Sequence, residues 1–164
     1  MTKTEQNLLD AFAGESQANR KYLAYAKQAE KEGYAQVAKL FRAAAAAETV
    51  HAHAHLRTLG KIKTTAENLK DAIEGETFEF KTMYPAMIAA AQEEGNKAGL
   101  RSLSYANEVE KYHAALYENA LKKMAELAHV DYYVCSVCGY TCEKEAPETC
   151  PVCGSDAKVF SKVD

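Results

Sequence analysis

The stretch AAAAAETVHAHAHL, residues 43–56, decides the fold. Its three histidines fall at every second position, a spacing that suits a strand. The alanine run before them, and the alanine, glutamate, lysine and leucine around them, predict a helix instead. Residues three apart on a helix share a face, so Glu48 and His51 project together. His53 turns away from Glu48 and is expected at or near the surface. His55 returns to the inner face one turn past His51, but it lies roughly 10 Å along the axis from Glu48, too far to share a metal comfortably. The expectation is one ligand, His51, with packing as the default role of His55.

A single Glu-x-x-His pair is weak, because one is expected by chance among 23 acidic residues and five histidines. Its echo carries the weight. EKYHAALY, residues 110–117, repeats the pair as Glu110 and His113 at an offset of 62. Tyr22 matches Tyr84, and EKEG (30–33) matches QEEG (92–95), at that same offset of 62. Gly14-Glu15 matches Gly75-Glu76 at 61, so a one-residue slip lies between Glu76 and Tyr84. Glycines at 33, 60 and 95 break an otherwise helical run. Four helices are predicted, about 3–32, 35–60, 64–94 and 96–128, as two copies of one hairpin. Thr64 or Thr65, followed by Glu67, is an N-cap signal for the third. Pro85 is expected to kink that helix or remove one of its bonds.

Each Glu-x-x-His is accompanied by a Gly-Glu on the other helix of its hairpin. Four-helix bundles that hold two iron or manganese ions use this arrangement, one Glu from each of two helices and Glu-x-x-His from each of the other two. Glu15, Glu76, Glu48 with His51, and Glu110 with His113 fill it. Burying such a set without a metal would cost several kcal/mol per uncompensated charge. Glu79 shares a face with Glu76, whereas its counterpart in the first copy is Ala18. A seventh ligand on one side only points to a metal that changes ligands with redox state. Tyr22 and Tyr84 sit two turns past Glu15 and Glu76, placed either to orient a ligand carboxylate or to pack in the core.

After residue 130 the character changes. All five cysteines lie between Cys135 and Cys153, in a segment with two of the three prolines. Short β-type runs fall at residues 132–134 and 159–160. This module is too small to fold on an apolar core alone. Cys135-x-x-Cys138 and Cys150-x-x-Cys153 deliver four thiolates to one tetrahedral site, suited to zinc or iron. Cys142 falls outside both pairs and reads as a spare thiol. The domain division expected is 1–130 and 131–164.

Hydrophobic residues make up 48% of the chain and charged residues 26%, with a net charge of −3. This is a globular balance without the basic stripe of a nucleic-acid binder. No apolar run approaches the roughly 20 residues of a membrane span. The start, MTKTEQNLLDAFAGES, lacks a signal-peptide core, and a cysteine cluster of this kind fits a metal site in a reducing compartment. A cytoplasmic location is expected.

AFAGESQANRKYLAYAKQAEKEG (11–33), AAAETVHAHAHL (45–56), IEGETFEFKTMYPAM (73–87) and the YYVCSVCGY and APETCPVCG segments of the tail resemble the rubrerythrin family over essentially the whole chain. The resemblance implies a mostly α fold, a ferritin-like four-helix bundle followed by a rubredoxin-like β module. It implies a non-haem di-iron centre, oxo-bridged when oxidised, and a mononuclear Fe(Cys)4 site in the tail. The implied activity is reduction of hydrogen peroxide to water, with electrons from NAD(P)H arriving through a reductase or rubredoxin. The implied di-iron ligands are Glu15, Glu48, His51, Glu76, Glu79, Glu110 and His113. The resemblance further implies that one iron trades His51 for Glu79 on oxidation, that Tyr22 and Tyr84 are the site tyrosines, and that the four tail cysteines Cys135, Cys138, Cys150 and Cys153 hold the single iron. One departure is Ser136, where the tail's opening knuckle ordinarily has proline; it changes loop stiffness more than ligation. Two other functional classes stand beside this one: a ferroxidase that handles iron with a structural zinc-ribbon tail, and an interaction protein with a zinc-ribbon contact module.

The linker between the second and third helices carries a further expectation. The repeat makes those helices run parallel, so the chain must travel the bundle's length between them. A helix of about 25 residues is roughly 38 Å long, while six residues span at most about 20 Å. The crossover does not fit within one bundle. A domain-swapped homodimer is therefore expected, with the first hairpin of one chain packed on the second hairpin of another.

Overall fold

The computed structural model describes all 164 residues and divides into two compact units, Met1–Lys63 and Thr64–Asp164. The first is a helical hairpin of α1 (Lys3–Lys31) and α2 (Ala35–Thr58). Thr2 caps α1 in a reciprocal box: its hydroxyl accepts from the Glu5 N–H at 3.1 Å, and the Glu5 carboxylate accepts from the Thr2 N–H at 2.6 Å. Gly33, at φ 86°, makes the turn between the helices. The seam is small-residue packing: Ala26, Ala29, Ala38, Ala45 and Ala52 are its buried residues, with Phe41 laid against the first three. Asn19 ties the helices together, its side-chain amide donating to the Ala45 carbonyl at 2.7 Å and to the Thr49 hydroxyl at 2.8 Å.

The second unit opens with α3 (Thr65–Phe78), capped by Thr64 and Glu67 in the same box that starts α1. It continues through a π-helical turn, Glu79–Met83, into α4 (Tyr84–Glu93). Here the Tyr84 N–H reaches back five residues to the Glu79 carbonyl. A π-turn holds one residue more than an α-turn, and it occupies the place where the repeat slips from 61 to 62. Pro85 follows directly, so its missing N–H falls where the bonding register is already changing. Of the two outcomes expected at Pro85, a kink or a lost bond, the second has its place here, beside a turn that already carries an inserted residue. Gly95, at φ 67°, turns the chain into α5 (Lys97–Lys122), which Asn96 caps by accepting from the Gly99 N–H at 2.9 Å. The repeat reaches the packing as well. Ala29 and Ala91 are both buried, as are Ala52 and Ala114, each pair 62 residues apart.

α5 ends at Lys122, short of the expected 128. Good helix formers continue through MAELA, so propensity does not end it. Beyond it the chain reverses, and the following module packs on Val109, Tyr112 and His113, roughly two and a half to three and a half turns back along α5. That module is a three-stranded antiparallel sheet of β1 (Tyr132–Cys135), β2 (Thr141–Glu143) and β3 (Phe160–Lys162), in the order β2-β1-β3. β1 covers the run predicted at 132–134. Of the run predicted at 159–160 only Phe160 is in a strand, as the first residue of β3, while Val159 ends a 3-10 turn. β2 carries no strand signal of its own and forms by pairing with β1. No helix is long and apolar enough to cross a membrane.

Candidate metal centres

The two cysteine knuckles are built alike. The Gly139 N–H donates to the Cys135 carbonyl and the Gly154 N–H to the Cys150 carbonyl, both at 2.9 Å. Each glycine has positive φ, 88° and 72°, which turns each Cys-x-x-Cys loop back on itself. All four sulfurs lie within 4.8 Å of one another, and Cys142 is not among them. Sγ–Sγ distances are 3.7 Å for Cys135–Cys153 and 3.6 Å for Cys138–Cys150. A tetrahedral metal with bonds of about 2.3 Å requires edges of roughly 3.8 Å, so the cage fits such an ion closely. Burial pushes the thiols of Cys138 and Cys150 up. Burial also opposes ionisation of Cys153, but hydrogen bonds from the Ser155 hydroxyl and N–H outweigh it and draw that thiol down to about 6. Thiolates are the metal-binding form, so a cation entering the cage would displace the remaining thiol protons.

The helical donors form two half-sites, one in each unit. In the first, Glu15, Glu48 and His51 bring their donor atoms within 4.8 Å of one another. His51 Nδ1 lies 2.9 Å from a Glu48 oxygen and 3.8 Å from a Glu15 oxygen. In the second, Glu76, Glu110 and His113 do the same. His113 Nδ1 lies 2.8 Å from Glu110 and 3.9 Å from Glu76. The two triads agree to 0.1 Å in each corresponding distance. In both, Nδ1 is the nitrogen that faces the carboxylates.

The second half-site is the more crowded. Burial, a hydrogen bond shared with Glu110 and the Glu110 charge together raise Glu76 to about 7, against a lowering by His113. Glu79, the first residue of the π-turn, lies outside the tight triad. Burial raises its carboxyl too, and the Glu76 charge adds to the rise. Tyr84 is pushed up by burial and then by the charges of Glu110, Glu79 and Glu76, which puts its phenol among those carboxylates. A carboxyl raised by burial beside a second carboxylate is the setting found at functional sites, where a bound cation would offset the crowded negative charge. In the first unit Tyr22 packs against Tyr25 and Phe41, with ring centroids at 6.4 and 6.2 Å. Neither Tyr22 nor Tyr84 hydrogen-bonds a carboxylate. His53 is exposed and His55 half-buried, and neither joins a donor cluster.

One contact has no counterpart in the sequence reading. The far nitrogen of His113, Nε2, lies 3.1 Å from the hydroxyl of Thr141, the first residue of β2. No local spacing announces it, because it arises only when the cysteine module lies on α5.

Carboxylate-rich triads written twice, beside a cage of four thiolates, are the donor chemistry of a non-haem iron protein with two kinds of metal site. Comparison with known proteins gives the class its place. The family model for rubrerythrin matches residues 6–121, and that for the rubredoxin-like domain of rubrerythrin matches 133–161. The chain is 34% identical to rubrerythrin-2 of Clostridium acetobutylicum, across 92% of this chain and 91% of that one. It is 36% identical to rubrerythrin of Porphyromonas gingivalis, across 97% and 89%. A solved structure of fully reduced, all-ferrous nigerythrin superposes with a TM-score of 0.61 at 33% identity, covering 99% of this chain and 88% of that one. The chain belongs to the rubrerythrin family. Its fold class is the mostly helical ferritin-like one with a small rubredoxin-like β module, and the family's cofactors are a di-iron site and an Fe(Cys)4 site. The coarse activity follows: an iron oxidoreductase of oxidative-stress type, working with a redox partner.

Proposed function

We propose that this protein reduces hydrogen peroxide to water. Residues 1–130 would form the di-iron bundle and residues 131–164 the electron-delivering module. The residues that would hold the iron pair are Glu15, Glu48, His51, Glu76, Glu79, Glu110 and His113, and Cys135, Cys138, Cys150 and Cys153 would hold the single iron. When bound, the iron pair supplies electrons and Lewis acidity for O–O cleavage. The chain's own groups do the rest. Glu79, the first residue of the π-turn, would be the carboxylate that replaces His51 on a more oxidised metal. Tyr84, among the carboxylates, holds a neutral phenol beside the reacting position, and Tyr22 is the corresponding site tyrosine of the first copy, packed there against Tyr25 and Phe41. NAD(P)H-derived electrons enter through a reductase or rubredoxin that docks at the cysteine module. The single observation that carries this reading is the module's seat on α5, which brings a thiolate cage and a di-iron histidine into one compact unit. A structural zinc ribbon has no need of that seat.

The working species in this proposal is a domain-swapped homodimer. α2 has 24 residues, about 36 Å of helix, and α3 begins after residues 59–64, which reach about 20 Å. Within Met1–Lys63 only alanines are buried, while Leu40 and Val50 are 67% and 62% exposed. A helical hairpin in that state lacks the second layer that its apolar side requires. Each iron pair would then take Glu15, Glu48 and His51 from one copy, and the remaining ligands from the other.

The test is rapid mixing of the anaerobically reduced, iron-loaded protein with peroxide and, separately, with dioxygen. The expected result is faster recovery of the oxidised di-iron absorption with peroxide. Faster recovery with dioxygen, or a colourless zinc-filled cage in protein purified from cells, would favour the ferroxidase reading.

A further inference from the structure

We propose that Thr141, a residue of the cysteine module, is the positioning residue for His113, fixing which ring nitrogen carries the proton and which faces the metal. This rests on the reading of His113 as a ligand and is independent of the substrate the metal pair acts on. The segment Gly139–Tyr140–Thr141 lies along one face of α5. Gly139 sits on Val109, where an added Cβ would come 3.8 Å from the valine methyl. The Tyr140 ring meets Tyr112 edge-on, centroids 4.8 Å apart at 85°. Thr141 meets His113 at 3.1 Å. Val109, Tyr112 and His113 are spaced three and four apart, so one helical face receives all three contacts.

The direction of the hydrogen bonds follows from the inventory of donors. The Thr141 hydroxyl also lies 3.1 Å from the Gly139 carbonyl, donating to it. A carbonyl only accepts, so the single hydroxyl proton is committed to Gly139. Thr141 Oγ1 then faces His113 as an acceptor, and His113 must donate from Nε2. Its Nδ1 is left with a lone pair directed at Glu110 and Glu76, the position of a shared cation. A histidine that ligates metal through one nitrogen while donating from the other is held in orientation and made more basic. Here the acceptor is supplied by another module of the chain. Gly139 follows Cys138 directly, so the same hydrogen-bonded chain ends one peptide from a cage sulfur. Thr141 therefore makes the geometry of one di-iron ligand depend on the docking of the cysteine module of the same chain.

Two full-length variants test this, Thr141→Val, which keeps the shape without the hydroxyl, and Thr141→Ser, which keeps the hydroxyl. In the zinc-loaded chain labelled with 15N-histidine, NMR should find His113 protonated at Nε2, with a proton slow to exchange in the unsubstituted chain and Thr141→Ser and fast in Thr141→Val. A proton on Nδ1 of the unsubstituted chain overturns the proposal without recourse to any variant. With zinc in the four-cysteine cage, manganese(II) titrated into the helical site and followed by electron paramagnetic resonance should bind about 10-fold more weakly in Thr141→Val and recover in Thr141→Ser. Equal affinities in all three proteins would remove the role of Thr141 alone. Failure of the unsubstituted chain to bind manganese(II) would remove the ligand assignment along with it.

Discussion

The two helical hairpins carry the same metal-binding sentence in different settings. Their histidines stand at the same distances from their carboxylates, within 0.1 Å. Yet His51 is 56% exposed and its Nε2 has no hydrogen bond, whereas His113 is 27% exposed and held at both nitrogens. The second copy also carries the π-turn, Glu79 and the seat of the cysteine module, and the first carries none of them. The difference teaches that equal ligands need not make equal metals. A histidine tied at both ends is built to stay, and one tied at a single end is free to swing. This agrees with the proposed exchange of His51, rather than His113, for Glu79.

The sharpest way to break that comparison is to delete each histidine in turn. His113→Ala should weaken manganese(II) binding more than His51→Ala, by about 10-fold, because it removes a ligand together with its outer hydrogen bond. Titration followed by electron paramagnetic resonance reads the difference, and equal losses would mean that the two copies are alike after all. A smaller effect concerns protons. Glu76 is raised from 4.5 to about 7 in the folded chain, so between these values the unfolded chain gives up a proton that the fold retains. The metal-free protein should therefore lose stability as pH rises from 4.5 to about 7 and level off above it. Thermal unfolding across that range checks this, and Glu76→Gln should flatten the slope. The smallest effect tests where the copies agree. Thr2→Ala and Thr64→Ala each remove the hydroxyl of a capping box and should cost about 1 kcal/mol apiece by chemical denaturation. A large disparity would show that one hairpin depends on its first turn more than the other.

Much of this was legible in the sequence because it is local or periodic. Glu48 and His51, and Glu110 and His113, share faces by helical geometry alone. The caps, the glycine turns and the knuckles each follow from residues a few positions apart. The slip in the repeat located the π-turn without revealing its form, since an offset counts residues and does not say how a helix absorbs one. What stayed hidden is non-local. β2 becomes a strand because β1 lies beside it. α5 stops at Lys122 although good helix formers follow it, and the module beyond packs on its earlier turns. The meeting of Thr141 with His113 joins residues from different modules, and nothing near either one in sequence encodes it.

The π-turn has a consequence for how such a molecule comes to be. A chain that repeats at 62 residues has the form of a doubled ancestor, and a doubled ancestor begins with two equivalent places for metal. Equivalence is a handicap where electrons must arrive from one side and leave toward a substrate. A single extra codon in one copy, absorbed by one widened turn of helix, ends that equivalence while leaving the helix, its caps and its neighbours in place.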